Sequence, residues 1–204
     1  MEISASFLLF VFSAAFTPGP NNIMLMSSGL NHGVRASLPH LFGIVLGVPT
    51  MFLAVGFGFT FFLEQTPSLY AVIKILGILY LLYLAWLIAS SAPSSLDSDA
   101  AAPFTFFQAA LFQWVNPKAW MMGTGAIAAF SNADAALGGQ IFIMAFVFML
   151  MAIPSAGVWL VLGSWLKRFF RNARYLIIFN RTMAIILVLS VAPIVVDLVG
   201  QYIG

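Results

Sequence analysis

The chain has 204 residues, of which 62% are hydrophobic and only 7% are charged, and its mean hydropathy is +1.05. Soluble domains carry about a quarter charged residues, so this composition excludes a soluble globular domain and predicts an all-α integral membrane protein covered mostly by lipid. The net charge of +2 is too sparse for nucleic-acid binding, and the lack of cysteine excludes a thiol nucleophile and disulfides.

A helix needs about 20 apolar residues to cross the hydrocarbon core, and the apolar stretches predict six such helices. They run from Ile3 to about Leu30 with an interruption at Pro18–Asn22, from about Ser37 to Leu63, from about Ser68 to Ser90, from about Phe104 to Phe130 with an interruption at Asn116-Pro117, from about Gly138 to Leu166, and from about Tyr175 to Val199. The first stretch has no basic residues before it and no small-residue cleavage site, so we expect a retained helix rather than a signal peptide.

A polar linker at about 91–103 divides this single transmembrane domain into two segments of three helices, about 1–90 and about 104–204. An odd number of helices makes the second segment enter the membrane in the opposite direction. Each segment opens with a helix broken by Asn and Pro, and each has a proline inside its next helix, Pro49 and Pro154. Paired interruptions of this kind predict two inverted repeats and a binding site between the broken helices.

The basic residues predict the orientation, because cytoplasmic loops retain Lys and Arg. The loop after helix five is the most basic, with Lys167, Arg168, Arg171 and Arg174. Loops two and four instead contain Glu64 and Asp134. We therefore expect the odd-numbered loops in the cytoplasm and both termini outside, in the periplasm.

The first interruption is the segment Pro18-Gly19-Pro20, followed by Asn21 and Asn22. Proline has no backbone N–H, and its ring clashes with the carbonyl four residues earlier. The helix should therefore break here and leave backbone acceptors and donors that need partners in a membrane. The alternative is a simple kink, but two asparagines directly after the prolines favour a binding site.

The second interruption is Asn116-Pro117-Lys118. Lys118 lies well inside an apolar stretch, where a cation is costly unless it is paired or faces water, so a functional role is the default hypothesis. At about 1.5 Å rise per residue, both interruptions fall near the middle of the bilayer, where one ligand can contact both. Loss and uptake of its proton would also make Lys118 a candidate for ion coupling.

Two further charges are candidates for coupling, Lys74 in helix three and Asp197 near the end of helix six. The alternative for each is an interfacial side chain, since lysine extends to the membrane surface. His32 and His40 are interpreted as interfacial residues rather than ligands. Gly43 and Gly47 form a small-xxx-small pair, which predicts close helix packing.

Three segments resemble the LysE/RhtB family of bacterial amino-acid exporters: 16–21 (FTPGPN) with 28–29 and 33–36, 116–119 (NPKA), and 74–84 (KILGILYLLYL). The resemblance covers essentially the whole chain. It departs at Ala184, where a glycine is expected, and at the late Asp197. It implies a multi-pass protein of the bacterial inner membrane that exports amino acids or close derivatives, driven by the proton-motive force.

We therefore expect a secondary active exporter of a small zwitterion. A half-helix N-terminus suits the substrate carboxylate, and freed carbonyls and asparagine oxygens suit its ammonium. The candidate substrate-binding residues are Pro18, Gly19, Pro20, Asn21, Asn22, Asn116, Pro117 and Lys118, and the candidate coupling residues are Lys118, Lys74 and Asp197. We expect no cofactor, no metal and no nucleic acid. The lipid bilayer surrounds the protein, and the chain can form a homodimer.

Three alternatives stay open, the first within the transporter class and the other two outside it. One is the efflux of other small molecules or drugs, and another is a channel or small assembly factor. The third is a membrane-embedded enzyme, for which the sequence offers no Gly-x-Ser-x-Gly, no His-Glu-x-x-His and no two carboxylates in neighbouring apolar stretches. We therefore expect no catalytic residues.

Overall fold

A computed structural model describes residues 3–58, 61, 65–90, 102–131, 136–169, 173–189, 192, 195–196 and 200. These residues form helices and no strand. The α-helices are α1 Ala5–Phe16, α2 Pro20–Ala36, α3 Leu38–Gly56, α4 Pro67–Ala89, α5 Phe106–Phe112, α6 Pro117–Phe130, α7 Leu137–Leu166 and α8 Ala173–Leu189, and a 3-10 turn, Gln113–Val115, follows α5.

Local chemistry explains where several helices begin and end. Pro20 and Pro117 are the first residues of α2 and α6, a position where the missing N–H of proline has no cost. Thr105 and Gln108 form a capping box at the start of α5. Gly33 has a φ of 79°, a left-handed conformation that glycine adopts easily, and it interrupts the helical geometry just before α3.

Two of the helices, α3 and α7, are long and apolar enough to cross a membrane. The pair α1 and α2 makes a third candidate if the two helices, bent by 48° at their junction, form one span. Within the described residues the protein is therefore all-helical, with helices apolar enough to cross a membrane. Six spans in two inverted repeats stay a prediction.

The tightest packing is between α2 and α7, where glycines let the two backbones approach each other. A Cβ atom added at Gly163 would collide with the Met26 carbonyl, and one added at Gly29 would collide with the Leu160 carbonyl. Gly43 and Gly47 allow α3 to lie equally close to α5, which confirms the predicted small-xxx-small packing.

Polar and apolar residues are distributed in the way that suits lipid surroundings. Large apolar side chains are exposed on most helices; Phe107 and Met121, for example, are 73% exposed. Buried polar side chains lie inside the bundle instead: Asn22, Ser27, Ser28, Asn31, Ser37, His40, Gln113, Asn116, Gln140, Ser155 and Asn180. A protein in hydrocarbon must satisfy its polar groups internally, and most of these side chains have partners inside the bundle; among the described residues, His40 Nε2 and Asn116 Nδ2 have none.

Candidate functional site

The end of α1 is surrounded by donors from distant parts of the chain. Asn22 Nδ2 donates to the carbonyls of Ala15 and Thr17, both at 2.9 Å. Ser155 Oγ, from α7, donates to the same Ala15 carbonyl at 2.8 Å. The carbonyls left without helical partners between α1 and α2 thus receive side-chain donors. Asn22 satisfies the backbone of this segment, so its amide group is already occupied.

Lys118, the second residue of α6, extends to this same place. Its Nζ donates to the Thr17 carbonyl at 2.7 Å and to Thr17 Oγ1 at 2.9 Å. The lysine side chain passes directly over Gly19, where an added Cβ would lie 2.8 Å from Lys118 Cδ. The structure therefore brings the two predicted interruptions together, although they are separated by almost half of the sequence.

A pair of amides forms a second link between the two interruptions. Asn21 Nδ2 donates to Gln113 Oε1, and Gln113 Nε2 donates back to Asn21 Oδ1, both at 2.9 Å. Gln113 is fully buried and also donates to the Ala109 carbonyl. Asn21, predicted as a ligand, thus holds the segment after α1 against the turn before α6.

Asn116 has one half of its amide in use. Its Oδ1 accepts from the Lys118 N–H at 3.2 Å and caps the N-terminus of α6. Its Nδ2 makes no hydrogen bond to any described residue, although the side chain is only 2% exposed and lines a cavity. Asn116 therefore offers a donor beside the Lys118 ammonium. Pro117 starts α6 and Pro18 is exposed between α1 and α2.

A cavity of about 50 Å³ lies between the two interruptions. Its polar lining consists of Asn21, Asn22, Asn116, Lys118 and Ser155, and its other lining residues are Ala14, Ala15, Gly19, Ile44, Val48, Ala119, Met122, Phe148, Ala152 and Ala156. One ammonium and no carboxylate line it. The volume is enough for about four water molecules, so an amino acid fits only if the lining moves.

The side chains of the other two coupling candidates fall outside the described part of the structure. Lys74 belongs to α4, but its side chain is outside the described structure, and Asp197 lies outside it altogether. The acidic residues Glu64 and Asp134 and the basic Arg171 also fall in segments that are not described. Within the described residues, no group of His, Cys, Asp and Glu could hold a metal ion.

His40, which the sequence indicates is interfacial rather than a ligand, lies inside the bundle. Its ring is fully buried, its Nδ1 is 2.8 Å from Ser28 Oγ, and its edge lies against Phe104. The position near the start of α3 is as expected, but α2 and the segment before α5 cover the ring because Gly43 lets α5 approach closely. His32 is half-buried at the end of α2.

Three of the residues that build the site were not predicted: Thr17 as the acceptor for Lys118, Gln113 as the partner of Asn21, and Ser155 as the donor to Ala15. Each is a polar residue within or next to an apolar stretch. That signal marks residues that face the inside of a bundle, but it does not identify their partners.

A helical protein with an apolar surface, and with a cavity between two helix interruptions that five polar side chains line, has the features of a membrane transporter. The sequence profile of the LysE type translocators matches residues 12–195, and the chain belongs to this family. The predicted resemblance is thereby confirmed. The protein is an amino-acid exporter of the membrane and not an enzyme.

The chain is similar to proteins described as cysteine/O-acetylserine efflux proteins. The one from Klebsiella pneumoniae subsp. pneumoniae is 32% identical over 170 residues, which cover 81% of this chain and 84% of the relative. Those from Escherichia coli strain K12 and Shigella flexneri are 31% identical over 170 residues, which cover 82% of this chain and 86% of each relative. No solved structure matches the chain.

Proposed function

We propose that the protein exports a small amino acid whose side chain carries no charge, such as cysteine or an O-acylated serine, across the bacterial inner membrane. The chain forms six transmembrane helices in two inverted three-helix repeats, and α1–α2 and α5–α6 are the broken first helices of the repeats. Substrate binds between the breaks, and the proton-motive force drives export. The observation that carries this proposal is the contact between Lys118 and Thr17, which joins the two interruptions.

The contact suggests how a zwitterion binds. In the empty site the Lys118 ammonium occupies the Thr17 carbonyl and hydroxyl. A substrate carboxylate attracts the same ammonium, with Asn116 Nδ2 as an additional donor and the positive end of the α6 dipole as a further attraction. When Lys118 turns to the carboxylate, the oxygens of Thr17 become acceptors for the substrate's own ammonium. Binding thus replaces the contact between Lys118 and Thr17 with two contacts to the substrate, one from Lys118 to its carboxylate and one from its ammonium to Thr17, and it widens the cavity.

The lining favours a substrate with a small side chain that carries no charge. A cationic side chain, such as that of lysine, would find no carboxylate in the described lining and would face Lys118. Ile44, Val48, Met122 and Phe148 form an apolar surface for the substrate side chain. The relatives' descriptions as cysteine/O-acetylserine efflux proteins support this class.

Lys118 is the coupling candidate that lines the cavity. Lys74 and Asp197 are coupling candidates on the basis of the sequence only. A lysine can transfer a proton when its surroundings change. We propose that Lys118 releases its proton as the substrate leaves and takes up another proton when it returns to Thr17. Lys118→Arg, which keeps the charge but holds its proton, should restore binding of the carboxylate without restoring coupled export.

Transport by the purified protein tests the substrate class. Proteoliposomes are loaded with labelled cysteine, O-acetylserine or lysine, and a proton gradient is imposed. We expect gradient-dependent release of the first two, release of lysine at least ten-fold slower, and saturable counterflow. No release of any amino acid would refute the proposal, release of lipophilic cations alone would favour drug efflux, and unsaturable downhill flux would favour a channel.

Cysteine labelling tests the orientation, because the chain has no cysteine of its own. We propose that both termini are periplasmic and that the basic loop after α7 is cytoplasmic. A membrane-impermeant thiol reagent applied to intact cells should label single cysteines introduced at Glu64 and Gly204 and should leave one at Arg171 unlabelled. The opposite pattern would reverse the orientation.

A further inference from the structure

A second cavity, distinct from the one between the interruptions, lies on the outer side of the bundle. It is an open groove of about 460 Å³ between α4 and α8. Ala85 and Ala184, which are 3% and 6% exposed, form its floor. Trp86 and Ile185, which are 62% and 59% exposed, stand on its two sides. Small residues between large ones therefore leave a cleft in the apolar surface.

The groove is apolar along its length except for one residue. Arg181 is its one charged lining residue, and the others include Leu82, Ala89 and Leu189. Within the described chain, Arg181 has neither a hydrogen bond nor an ion pair, and none of the described groove residues is acidic. Among the described residues, an exposed guanidinium without a partner therefore lies beside an exposed apolar surface.

The position of Arg181 along α8 places its charge within the helix rather than at its end. Arg181 is eight residues after Ala173, the first residue of α8, which places it about 12 Å along the helix. A charge at this depth is costly unless its side chain extends toward the membrane surface or an anion pairs with it. The remaining groove then continues toward the middle of the bundle.

We propose that this groove binds an anionic phospholipid. The guanidinium of Arg181 pairs with the lipid phosphate in the bidentate geometry that arginine favours, and one acyl chain lies over Ala85 and Ala184 between Trp86 and Ile185. Basic pockets between membrane helices are known to hold anionic headgroups. A second copy of the chain is a poorer occupant, because the described groove residues of a second copy include no carboxylate that could pair with Arg181.

Native mass spectrometry of the full-length protein in detergent tests this site. The probes are dioleoyl-phosphatidylglycerol and dioleoyl-phosphatidylcholine, which share acyl chains and differ in net charge. We expect wild-type protein to prefer the anionic lipid. Arg181→Gln should weaken binding of phosphatidylglycerol about five-fold, which corresponds to about 1 kcal/mol for one cation near the surface, and leave phosphatidylcholine unchanged.

Two further variants separate a defined site from diffuse attraction. Arg168→Gln removes an exposed cation of the loop that follows α7, which also lacks a described partner, and it should change binding less than two-fold. Trp86→Ala should weaken both lipids alike, because it removes a wall of the groove. Glycerol phosphate at millimolar concentration should not displace the lipid, since it lacks the acyl chain.

Three results would overturn the proposal. The first is unchanged phosphatidylglycerol binding by Arg181→Gln, and the second is an equal loss in Arg168→Gln, which would show surface attraction only. The third is a lipid-free dimer that Trp86→Ala dissociates, which would make the groove an interface between two copies. If Arg181→Gln does not accumulate, Arg181→Lys keeps the charge without the bidentate geometry and should show a smaller loss of the same preference.

Discussion

The amide pair of Asn21 and Gln113 yields a prediction whose size follows from the structure. The two side chains exchange two hydrogen bonds of 2.9 Å, and Gln113 is fully buried. Gln113→Leu keeps a similar volume but leaves the Asn21 amide without its partner. An unsatisfied polar group costs about 1–3 kcal/mol, and Asn21→Leu leaves Gln113 in the same condition. Each single variant should therefore be destabilised by that amount.

The double variant should be less unstable than the sum of the two single variants. Interhelical hydrogen bonds measured in membranes by double-mutant cycles average about 0.6 kcal/mol and reach about 1.7. Two bonds in one pair therefore predict a coupling of about 1–2 kcal/mol. Loss of the pair also affects the site, because the segment after α1 is then no longer held against the turn before α6.

Unfolding in mixtures of dodecyl sulfate and a mild detergent, followed by tryptophan fluorescence, measures this coupling. The matched control combines Gln113→Leu with Thr124→Val, because Thr124 Oγ1 donates to the Trp120 carbonyl within α6. That pair should be additive to within about 0.5 kcal/mol. If the Asn21 and Gln113 variants were also additive, the two amides would not be in contact and the placement of the two interruptions would be refuted.

Three other predictions concern packing, capping and the site. Gly163→Ala should lower the free energy of unfolding by about 1–3 kcal/mol, and the abundance with it, because the new Cβ meets the Met26 carbonyl. Gly157→Ala in the same helix has free space and should change little, so equal effects of the two variants would contradict the close α2–α7 contact. Ser155→Ala and Asn22→Ala should each be mild in a thermal-shift assay, because the other donor still satisfies the Ala15 carbonyl, but the double variant should lose about 1–3 kcal/mol more than their sum; additivity would exclude a shared acceptor. Asn116→Ala should abolish export while abundance, measured by immunoblot, falls only slightly, since a helix cap contributes about 1 kcal/mol; full export at normal abundance would remove this residue from the site.

The helical architecture follows closely from the sequence, because its signals are local. Apolar length predicts the spans, and proline at 18, 20 and 117 predicts where helices end and restart; α1 ends at Phe16, and α2 and α6 begin at Pro20 and Pro117. The cost of a cation in hydrocarbon also identifies Lys118 as a residue that needs a partner. These are properties of single segments, and each can be read without knowing the fold.

The partners in the site could not be predicted, because they depend on which helices meet. Gln113 and Ser155 each appear as isolated polar residues, and their partners Asn21 and Ala15 are 92 and 140 residues away. The prediction gave Asn21 and Asn22 to the substrate because freed amides suit a ligand. In the fold, Asn22 donates to the backbone that the prolines leave unpaired.

The burial of His40 also depends on which helices meet. A histidine near the end of an apolar stretch is ordinarily interfacial, and its depth is consistent with that. Its burial depends on the glycine of α3 that lets α5 approach, together with the contact to Phe104. The position of His40 three residues from a predicted helix end does not reveal which other helix covers its ring.

Lys118→Met provides the most direct test of the claim that a substrate carboxylate binds between the two interruptions. The variant should fold, because Asn22 still donates to the Thr17 carbonyl after the ammonium is removed. A hydrogen bond to a charged group contributes about 1.5–3 kcal/mol, so substrate binding should weaken about 10- to 150-fold.

Counterflow of labelled cysteine in proteoliposomes measures that loss, with cysteamine, which lacks the carboxylate, as a competitor. Wild-type protein should be inhibited by unlabelled cysteine and hardly by cysteamine, and Lys118→Met, at normal abundance, should require about 10- to 150-fold more cysteine for the same flux. Normal counterflow by Lys118→Met, or equal inhibition of the wild type by cysteine and cysteamine, would contradict a carboxylate site at Lys118.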